Sequence, residues 1–469
     1  MAQNFISYDR DQQLLMPPDL REWLPAGHLA WFVLETVGEM DLSRFYAAYR
    51  DDGWGRAAYE PSMMVALLLY AYCKGERSAR KIEEHCTEDV GYRVICSNNV
   101  PDHVTINRFR SAHAGALAGL FGQVLSLCAR AGMVHVGTIA LDGTRMEANA
   151  ARDANMDFER IAREIVEEAG AVDAAEDERF GELKGDELPP ELAPGPGRQA
   201  WIREAKRQLE AERTANAENV SRARSERLAE AHRRLVEDWR AELKGARDHE
   251  LWRARRIERE GRQFMATGAV KPYVAPAQPS GIINVTDPDS RLVKGERGFL
   301  QGYTAQASVT EDQLILTAEV IIGGSERNTL EPLIDLTCSE LEQAGIKQRP
   351  KVAVADAGFW NTEQIERVAK RGIRPLVNPD SGKRKEPSRI RGKPHYQRMR
   401  EQLDTEEGHE LYRKRKQMIE PVFAHTKFNR RIERFKRRGL AACRAEWRLI
   451  TATHNLLKLW QNTAAVAPA

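Results

Sequence analysis

The stretch His135-Val136-Gly137-Thr138-Ile139-Ala140-Leu141-Asp142-Gly143-Thr144 is a short apolar, β-branched run that ends in an acidic turn. Such a run predicts a buried strand that ends at Asp142. A second run of this kind, residues 351–355, ends at Asp356, and Gly358 follows two positions later. Further strands are predicted at 302–309, 314–322 and 374–377, with helices at 329–344, 362–371 and 412–431. This alternation predicts an α/β domain with a mixed sheet.

A helical region precedes this sheet. Residues 61–72 are apolar and rich in helix formers, and residues 1–130 are predicted to form an N-terminal helical DNA-binding domain. A turn at Pro101 is followed by a short helix that carries Arg108 and Arg110, which is typical of a helix-turn-helix DNA reader. A plain helical bundle with an exposed basic helix fits the same pattern equally well.

A charged segment interrupts the α/β domain after its first strand. Residues 151–280 are rich in Ala, Glu and Arg, and Leu228, Ala231 and Leu235 recur at three- and four-residue spacing. This spacing predicts a long helical, coiled-coil-like insertion, with Pro- and Gly-rich breaks at 189–197 and 271–280. The first part of the α/β domain is then expected at 131–150 and its remainder at 281–463.

Composition excludes several classes of protein. The chain has 469 residues, of which 42% are hydrophobic and 30% charged, so wholesale disorder is excluded. The longest apolar run, residues 63–72, is too short to span a membrane. Six cysteines without a C-x-x-C pair argue against a disulfide scaffold and a structural zinc site. With no secretory signal at the N-terminus, a cytoplasmic protein is expected.

The small net charge of +2 hides a strongly basic block. Residues 381–440 contain 19 Lys and Arg against 8 Asp and Glu, a local net charge of +11. A basic block of this density is usually a solvated surface. Beside candidate catalytic residues, it favours a polyanionic partner such as DNA.

Three carboxylates are the candidate catalytic residues. Ligands bind at the carboxyl ends of strands in open α/β sheets, which is where Asp142 and Asp356 are predicted. Two carboxylates brought together repel each other, and Mg²⁺ would remove that repulsion. The third, Glu420, lies on a predicted helix seven residues from both Arg413 and Lys427. The simpler interpretations are that each Asp caps a turn and that Glu420 forms an ordinary ion pair along its helix.

Several motifs together resemble the DDE transposases of bacterial insertion sequences, in particular the insertion sequence 1182 group with its N-terminal helical domain. The motifs are Asp142-Gly143-Thr144, Asp356-Ala357-Gly358-Phe359, Tyr412, Glu420-Pro421-Val422-Phe423, Lys427, Gly302-Tyr303-Thr304-Ala305-Gln306, Pro61-Ser62, residues 78–83 and residues 101–110. The resemblance covers roughly residues 1–150 and 280–460. It implies an RNase H-like catalytic domain in which Asp142, Asp356 and Glu420 bind two Mg²⁺ or Mn²⁺ ions.

The resemblance also implies the reaction and its partners. The protein would cut DNA at the terminal inverted repeats of an insertion sequence and join the ends to target DNA. It would act as a homodimer or larger assembly, associated with the nucleoid rather than with a membrane. The residues expected to contact DNA are Arg108, Arg110, Tyr412, Arg413, Arg415, Lys416, Lys427, Arg430 and Arg431.

One spacing departs from the wider clan, which has Tyr-x2-Arg-x3-Glu-x6-Lys. Here Tyr412 and Arg415 keep the first spacing, but four residues separate Arg415 from Glu420, and Lys416 occupies the expected position. The departure leaves open whether Arg413, Arg415 or Lys416 contacts the phosphate.

Two other functions compete with a transposase. A haloacid dehalogenase-type phosphotransferase also ends a strand in Asp-Gly-Thr, but its nucleophilic Asp would stand at Ala140, so that function is disfavoured. The second alternative is a non-catalytic, sequence-specific DNA-binding protein derived from a transposase. The presence of all three carboxylates favours the enzyme.

Overall fold

A bundle of short helices forms the N-terminal part of the protein. The computed structural model describes residues 19–49, 57–180, 224–266, 272–295, 298–380 and 394–466; the predictions on residues 189–197 and 381–393 lie outside the described residues. The helices are α1 (Leu29–Gly38), α2 (Ser43–Tyr46), α3 (Pro61–Cys73), α4 (Ala79–Glu88), α5 (Val90–Ile95), α6 (His103–Ala112) and α7 (Ala114–Arg130). Pro at the first position of α3 suits a helix start, and its side chains from Met64 onward are buried.

A mixed six-stranded sheet follows the bundle. Its strands are β1 (Thr138–Glu147), β4 (Arg291–Gly295), β5 (Gly298–Thr310), β6 (Ile315–Ile322), β7 (Val352–Ala355) and β8 (Arg374–Val377). β5 pairs antiparallel with β1, β4 and β6, whereas β1, β7 and β8 are parallel neighbours in that order. The prediction of a mixed α/β sheet behind a helical N-terminus is therefore confirmed.

The sequence predicted that β1 ends at Asp142, but the strand continues beyond this residue. Its parallel partner β7 ends at Ala355, opposite Leu141, but its antiparallel partner β5 continues to pair with it as far as Glu147. Asp142 is therefore the first residue of β1 beyond the parallel pairing, and one side of the strand is open at that point.

The helices around the sheet are α10 (Leu330–Gln343), α11 (Thr362–Lys370), α12 (Pro394–Asp404), α13 (Glu406–Ala424) and α14 (Leu440–Val466). A π-helical turn, His425–Asn429, follows α13 directly. The helix predicted at 412–431 thus corresponds to the C-terminal part of α13 and this turn, and it is not the last helix of the chain. α14 follows it, with Trp447, Ile450 and Leu456 buried at helical spacing.

α14 packs between the N-terminal bundle and the sheet. It contacts α3 and α7 on one side and β6 on the other. The indole Nε1 of Trp447 donates a hydrogen bond of 2.9 Å to the carbonyl oxygen of Gln306 in β5. The buried side chains of the bundle, α14 and the sheet consequently form one continuous hydrophobic core. We call this part of the molecule the body.

A second, smaller unit lies between β1 and β4, and we call it the arm. It consists of β2 (Asn155–Asp157), α8 (Phe158–Phe180), α9 (Arg224–Ala266) and β3 (Ile282–Asn284), with β2 and β3 paired antiparallel. α9 has a break at Gly261. Six buried side chains form its separate core: Ile161, Leu228, Ala231, Leu235, Ile283 and Val285.

Within the described part of the chain, no helix alone has the length and apolar character needed to cross a membrane. α6 and α7 meet these two criteria only when they are taken together, and the chain bends by 74° between them.

Candidate active site

Asp142 and Asp356 follow neighbouring residues of two parallel strands. Leu141 of β1 is in register with Ala355 of β7, and each Asp is the next residue in its chain. Neighbouring strands lie about 4.8 Å apart. The register of β1 and β7 therefore produces the predicted convergence of the two Asp carboxylates at one edge of the sheet.

Asp142 is held by two donors. Its Oδ1 accepts a hydrogen bond of 2.8 Å from the Gly143 N–H, and its Oδ2 lies 2.5 Å from the Arg415 guanidinium of α13. Burial raises the pKa of Asp142 and the nearby Asp356 adds to this effect, whereas Arg415 opposes it. In this structure Arg415 supplies the positive charge that compensates a partly buried carboxylate.

Asp356 caps a short turn with one of its oxygens. Its Oδ1 accepts a hydrogen bond of 2.9 Å from the Gly358 N–H, at the start of the 3₁₀ turn Ala357–Phe359. The capping role considered from the sequence is thus real. It does not exclude a catalytic one, because a carboxylate has a second oxygen with further lone pairs.

A third carboxylate at this edge, Glu326, was not anticipated from the sequence. It lies in the loop between β6 and α10, and its side chain is only 8% exposed. A methyl group on Gly143 would overlap its carboxylate, and one on Gly358 would lie 3.4 Å from its Oε2. Glu326 therefore sits between the two glycines that follow Asp142 and Asp356.

The environment of Glu326 is polar but poorly compensated. Its Oε1 is 3.5 Å from Gln306 Nε2, and its Oε2 is 3.7 Å from Arg145 Nη2. Burial raises its pKa to about 7; Asp142 and Asp356 add to the increase, and Arg145 opposes it. β6 runs parallel to β1, so its carboxyl end lies at the same edge as Asp142, but this direction is set by the tertiary fold and leaves no local signal in the sequence.

α13 runs along β1 and is fixed at two points. Arg415 reaches Asp142, and one turn beyond the helix end Lys427 Nζ donates a hydrogen bond of 2.8 Å to the Arg145 carbonyl oxygen. Glu420 lies between these points on the exposed side of the helix. Within the described residues the structure gives its carboxylate no hydrogen bond or ion pair.

Two family models match the chain. The model described as a transposase domain (DUF772) matches residues 18–112, and the one described as a transposase DDE domain matches residues 380–460. Both models describe transposases, and together they support a DDE transposase of the insertion-sequence type. No curated protein and no solved structure matches it. The matched ranges cover α1 to α6 of the N-terminal bundle and the segment with Arg415 and Glu420, but neither includes Asp142 or Asp356.

The protein presents only some of its predicted DNA-contacting cations to solvent. Arg108, Arg413, Lys416 and Arg431 are exposed. Arg415 is turned toward Asp142, and Tyr412 is half-buried beside it, with a pKa that burial raises. Of the three candidates between which the sequence could not decide, Arg413 and Lys416 are therefore the ones that face outward.

Two residues predicted to contact DNA instead bind groups within the protein. Arg430 is buried, and its guanidinium donates to the carbonyl oxygens of Tyr72 and Ile450 at 2.7 and 3.1 Å. Arg110 donates to the Arg77 carbonyl oxygen at 2.7 Å. Arg430 therefore links the bundle to the C-terminal segment, and the prediction that it contacts DNA is wrong for this structure.

The candidate site has suitable oxygen donors for a divalent metal ion. Asp142, Asp356 and Glu326 provide hard carboxylate oxygens, which Mg²⁺ prefers. In the described residues, however, no three acidic, His or Cys side chains are close enough to share one ion. The donor chemistry fits a metal, and Arg415 on Asp142 is the contact that metal binding would have to replace.

Proposed function

We propose that this chain is an active transposase that cuts the ends of an insertion sequence and joins them to target DNA. The observation that carries the proposal is the placement of Asp142 and Asp356 on adjacent strand ends, with α13 and its Arg415 packed over them. On one side of β1 lies the antiparallel strand β5, followed by β6, which runs parallel to β1. On the other side lie the parallel strands β7 and β8. This strand order supports an RNase H-like catalytic domain.

Asp142, Asp356 and Glu420 are the proposed metal ligands, as the family resemblance implies. Two Mg²⁺ or Mn²⁺ ions, when bound, would activate the attacking hydroxyl and stabilise the leaving oxygen. Displacement of Arg415 from Asp142 would free its guanidinium for a phosphate oxygen. Its Nε is already buried without a partner in the described part of the chain, so it has a donor to offer.

Glu326 is proposed as a positioning residue in this site. Its carboxylate lies against Gly143 and close to Gly358, the residues that fix the direction of Asp142 and Asp356. It also lies near Arg145, whose backbone carbonyl holds Lys427. Loss of such supporting groups typically reduces metal affinity or activity by about 10–100-fold.

A non-catalytic DNA-binding protein is the second candidate. The ion pair between Arg415 and Asp142 favours it, because a carboxylate committed to Arg415 is not a metal ligand. The two functions differ in one property, which is metal-dependent cleavage of DNA.

The experiment uses the full chain and DNA carrying the inverted repeats that flank the gene. Strand cleavage is measured in Mg²⁺, Mn²⁺, Ca²⁺ and chelator, and DNA binding is measured by gel shift in parallel. Asp142→Asn, Asp356→Asn and Glu420→Gln are each expected to lower cleavage by about 10³-fold or more, while binding is retained. Double substitutions should add little, because the ligands act as a unit.

Two Glu→Gln substitutions distinguish a positioning role of Glu326 from the general effect of altering a buried glutamate. Glu326→Gln is expected to reduce cleavage by about 10–100-fold and to weaken Mn²⁺ binding measured by calorimetry. Glu340→Gln is the matched control, since Glu340 is also 8% exposed and ion-paired, but with Arg448 away from the site. Cleavage by the wild type in chelator, or full activity of Glu420→Gln, would overturn the three-carboxylate proposal.

A further inference from the structure

We infer that a basic cleft at the junction of the N-terminal bundle and the C-terminal segment binds the phosphate backbone of duplex DNA. The inference rests on the proposed transposase function and adds a site to it. The cleft has a volume of about 530 Å³. Lys74 and Lys81 line it from the α3–α4 side, and Arg431 and Lys436 line it from the chain that follows α13. We call it the junction cleft.

The cations of the junction cleft are available to a ligand. All four residues are exposed. Within the described ranges, the structure pairs none of their side chains with a carboxylate. Four unpaired positive charges around one concave surface attract a polyanion, and their field is focused by the walls of the cleft.

The two acidic residues in the cleft, Glu76 and Asp89, leave it net positive, because its four exposed cations outnumber them. Glu76 Oε1 accepts hydrogen bonds from the N–H groups of Arg77 and Ser78 at 2.8 and 2.6 Å. Asp89 caps α5, where its Oδ1 accepts from the Gly91 and Tyr92 N–H groups. Both carboxylates are thus structural.

Buried arginines hold the two walls of the cleft together. Arg77 bonds to Glu446 Oε1 and to the Arg434 carbonyl oxygen at 2.8 and 2.7 Å, and Arg430 bonds to the Tyr72 carbonyl oxygen. Gly75 has a φ of +82°, and any side chain on it would overlap the Arg430 carbonyl group. These contacts preform the cleft, so that binding requires little reorganisation.

Arg431 has an unfavourable backbone conformation. Its φ is +53°, in the left-handed region that suits glycine and penalises other residues. Strain of this kind is concentrated at functional sites. Arg431 occupies a position where glycine would be more stable, which indicates that its guanidinium has a function.

The distance between the cleft and the candidate active site suits DNA. Asn429, which lines the cleft, is about 14 residues beyond Arg415, which contacts Asp142; at about 1.5 Å of helical rise per residue, this places the cleft roughly 20 Å from the site. At about 3.4 Å per base pair, this span corresponds to roughly six base pairs. DNA cut at the carboxylates would therefore present phosphates to the cleft about half a helical turn away.

The test measures binding of the full chain to a labelled 30-base-pair duplex of random sequence between about 50 and 300 mM salt. Lys74→Gln combined with Lys81→Gln is expected to weaken binding about tenfold at about 100 mM salt. The slope of log affinity against log salt should become shallower by about 0.9 for each phosphate that the variant no longer neutralises. The matched control is Lys347→Gln with Lys351→Gln, two exposed lysines at the opposite edge of the sheet from Asp356.

A second variant tests the strained arginine. Arg431→Gly is expected to raise the unfolding temperature while weakening DNA binding, whereas Arg431→Lys should restore part of the binding. Cleft variants with the affinity and slope of the lysine control would overturn the inference, and would leave the proposed function intact if the wild type binds and cuts DNA. A wild type that does not bind DNA would overturn both.

Discussion

The body and the arm show two ways in which the same chain buries its apolar residues. In the body, helices from the start of the chain, strands from its middle and α14 from its C-terminal part share one core. In the arm, two long helices and a two-stranded ribbon share six buried side chains, and large apolar residues such as Val166 and Leu251 stay exposed. The body should thus unfold as one unit, and the arm should open separately at lower free energy.

The arm is joined to the body mainly by polar contacts. Arg234 lies 3.2 Å from Asp289, and Arg291 lies 2.9 Å from Asp238. Asn155 Nδ2 donates to Gln301 Oε1 at 3.0 Å. Exposed ion pairs of this kind contribute about 0–1 kcal/mol each, so they do not couple the two units strongly.

The largest effect is expected for Trp447→Ala. Removal of this fully buried ring, together with its hydrogen bond to Gln306, should destabilise the body by about 3–5 kcal/mol. Hydrogen exchange should accelerate in α3 and in β6 by the same factor, because both pack on α14. Trp252→Ala, at an indole that is 42% exposed in the arm, is the control with little expected change. Loss of protection in only one of the two elements would contradict a shared core.

A smaller and local effect is expected for Leu228→Ala. Leu228 is fully buried in the core of the arm, and this core is small enough to place the cost near the lower end of about 2–5 kcal/mol. Hydrogen exchange should accelerate in α8 and α9, while the unfolding temperature of the body stays unchanged. Leu251→Ala on the same helix is the control, since its side chain is 58% exposed. A matching drop in stability of the body would show that the units are coupled after all.

The smallest effect concerns acid stability of the body. His454 is buried with its Nε2 3.1 Å from the Gln313 carbonyl oxygen, and burial, with His425 beside it, lowers its pKa to about 3. The unfolded chain, with a pKa near 6.5, takes up a proton that the folded chain excludes. Stability is therefore fully present above pH 6.5 and is lost as the pH falls below it, at about 1.4 kcal/mol per pH unit.

The measurement compares unfolding free energies of the wild type and His454→Gln between pH 7.5 and 5. As the pH falls, the wild type should lose unfolding free energy relative to His454→Gln. His232→Gln in the arm should instead follow the wild type. Parallel pH profiles for the wild type and His454→Gln would refute the assignment.

The sequence predicted those parts of the fold that depend on local patterns. The runs before Asp142 and Asp356 identify their strands because apolar, β-branched residues continue up to each carboxylate. α14 has a comparable pattern in Trp447, Ile450 and Leu456, but Arg, Glu and Thr between them obscure it. A local signal for α14 is therefore present in the sequence, although it is weaker than the signal for the strands.

Other features of the site depend on tertiary structure alone. Glu326 stands in a polar loop that resembles an ordinary surface turn, and only the parallel direction of β6 brings it to the edge with Asp142. Arg430 belongs to a run of basic residues that predicts a solvated surface, and packing of the bundle against the C-terminal segment buries it. In both cases the deciding partners are distant in sequence and carry no local signal.

The late position of α14 has a consequence for synthesis of the protein in the cell. At about 5–20 residues per second, a ribosome needs roughly 20–90 s to make the 439 residues that precede Leu440. Until then, α3, α7 and β6 lack the helix against which they pack, and Arg430 has no Ile450 to bind. A nascent or prematurely terminated chain would expose apolar surface and be a substrate for chaperones and proteases. Only molecules translated past this point would be able to complete the core of the body.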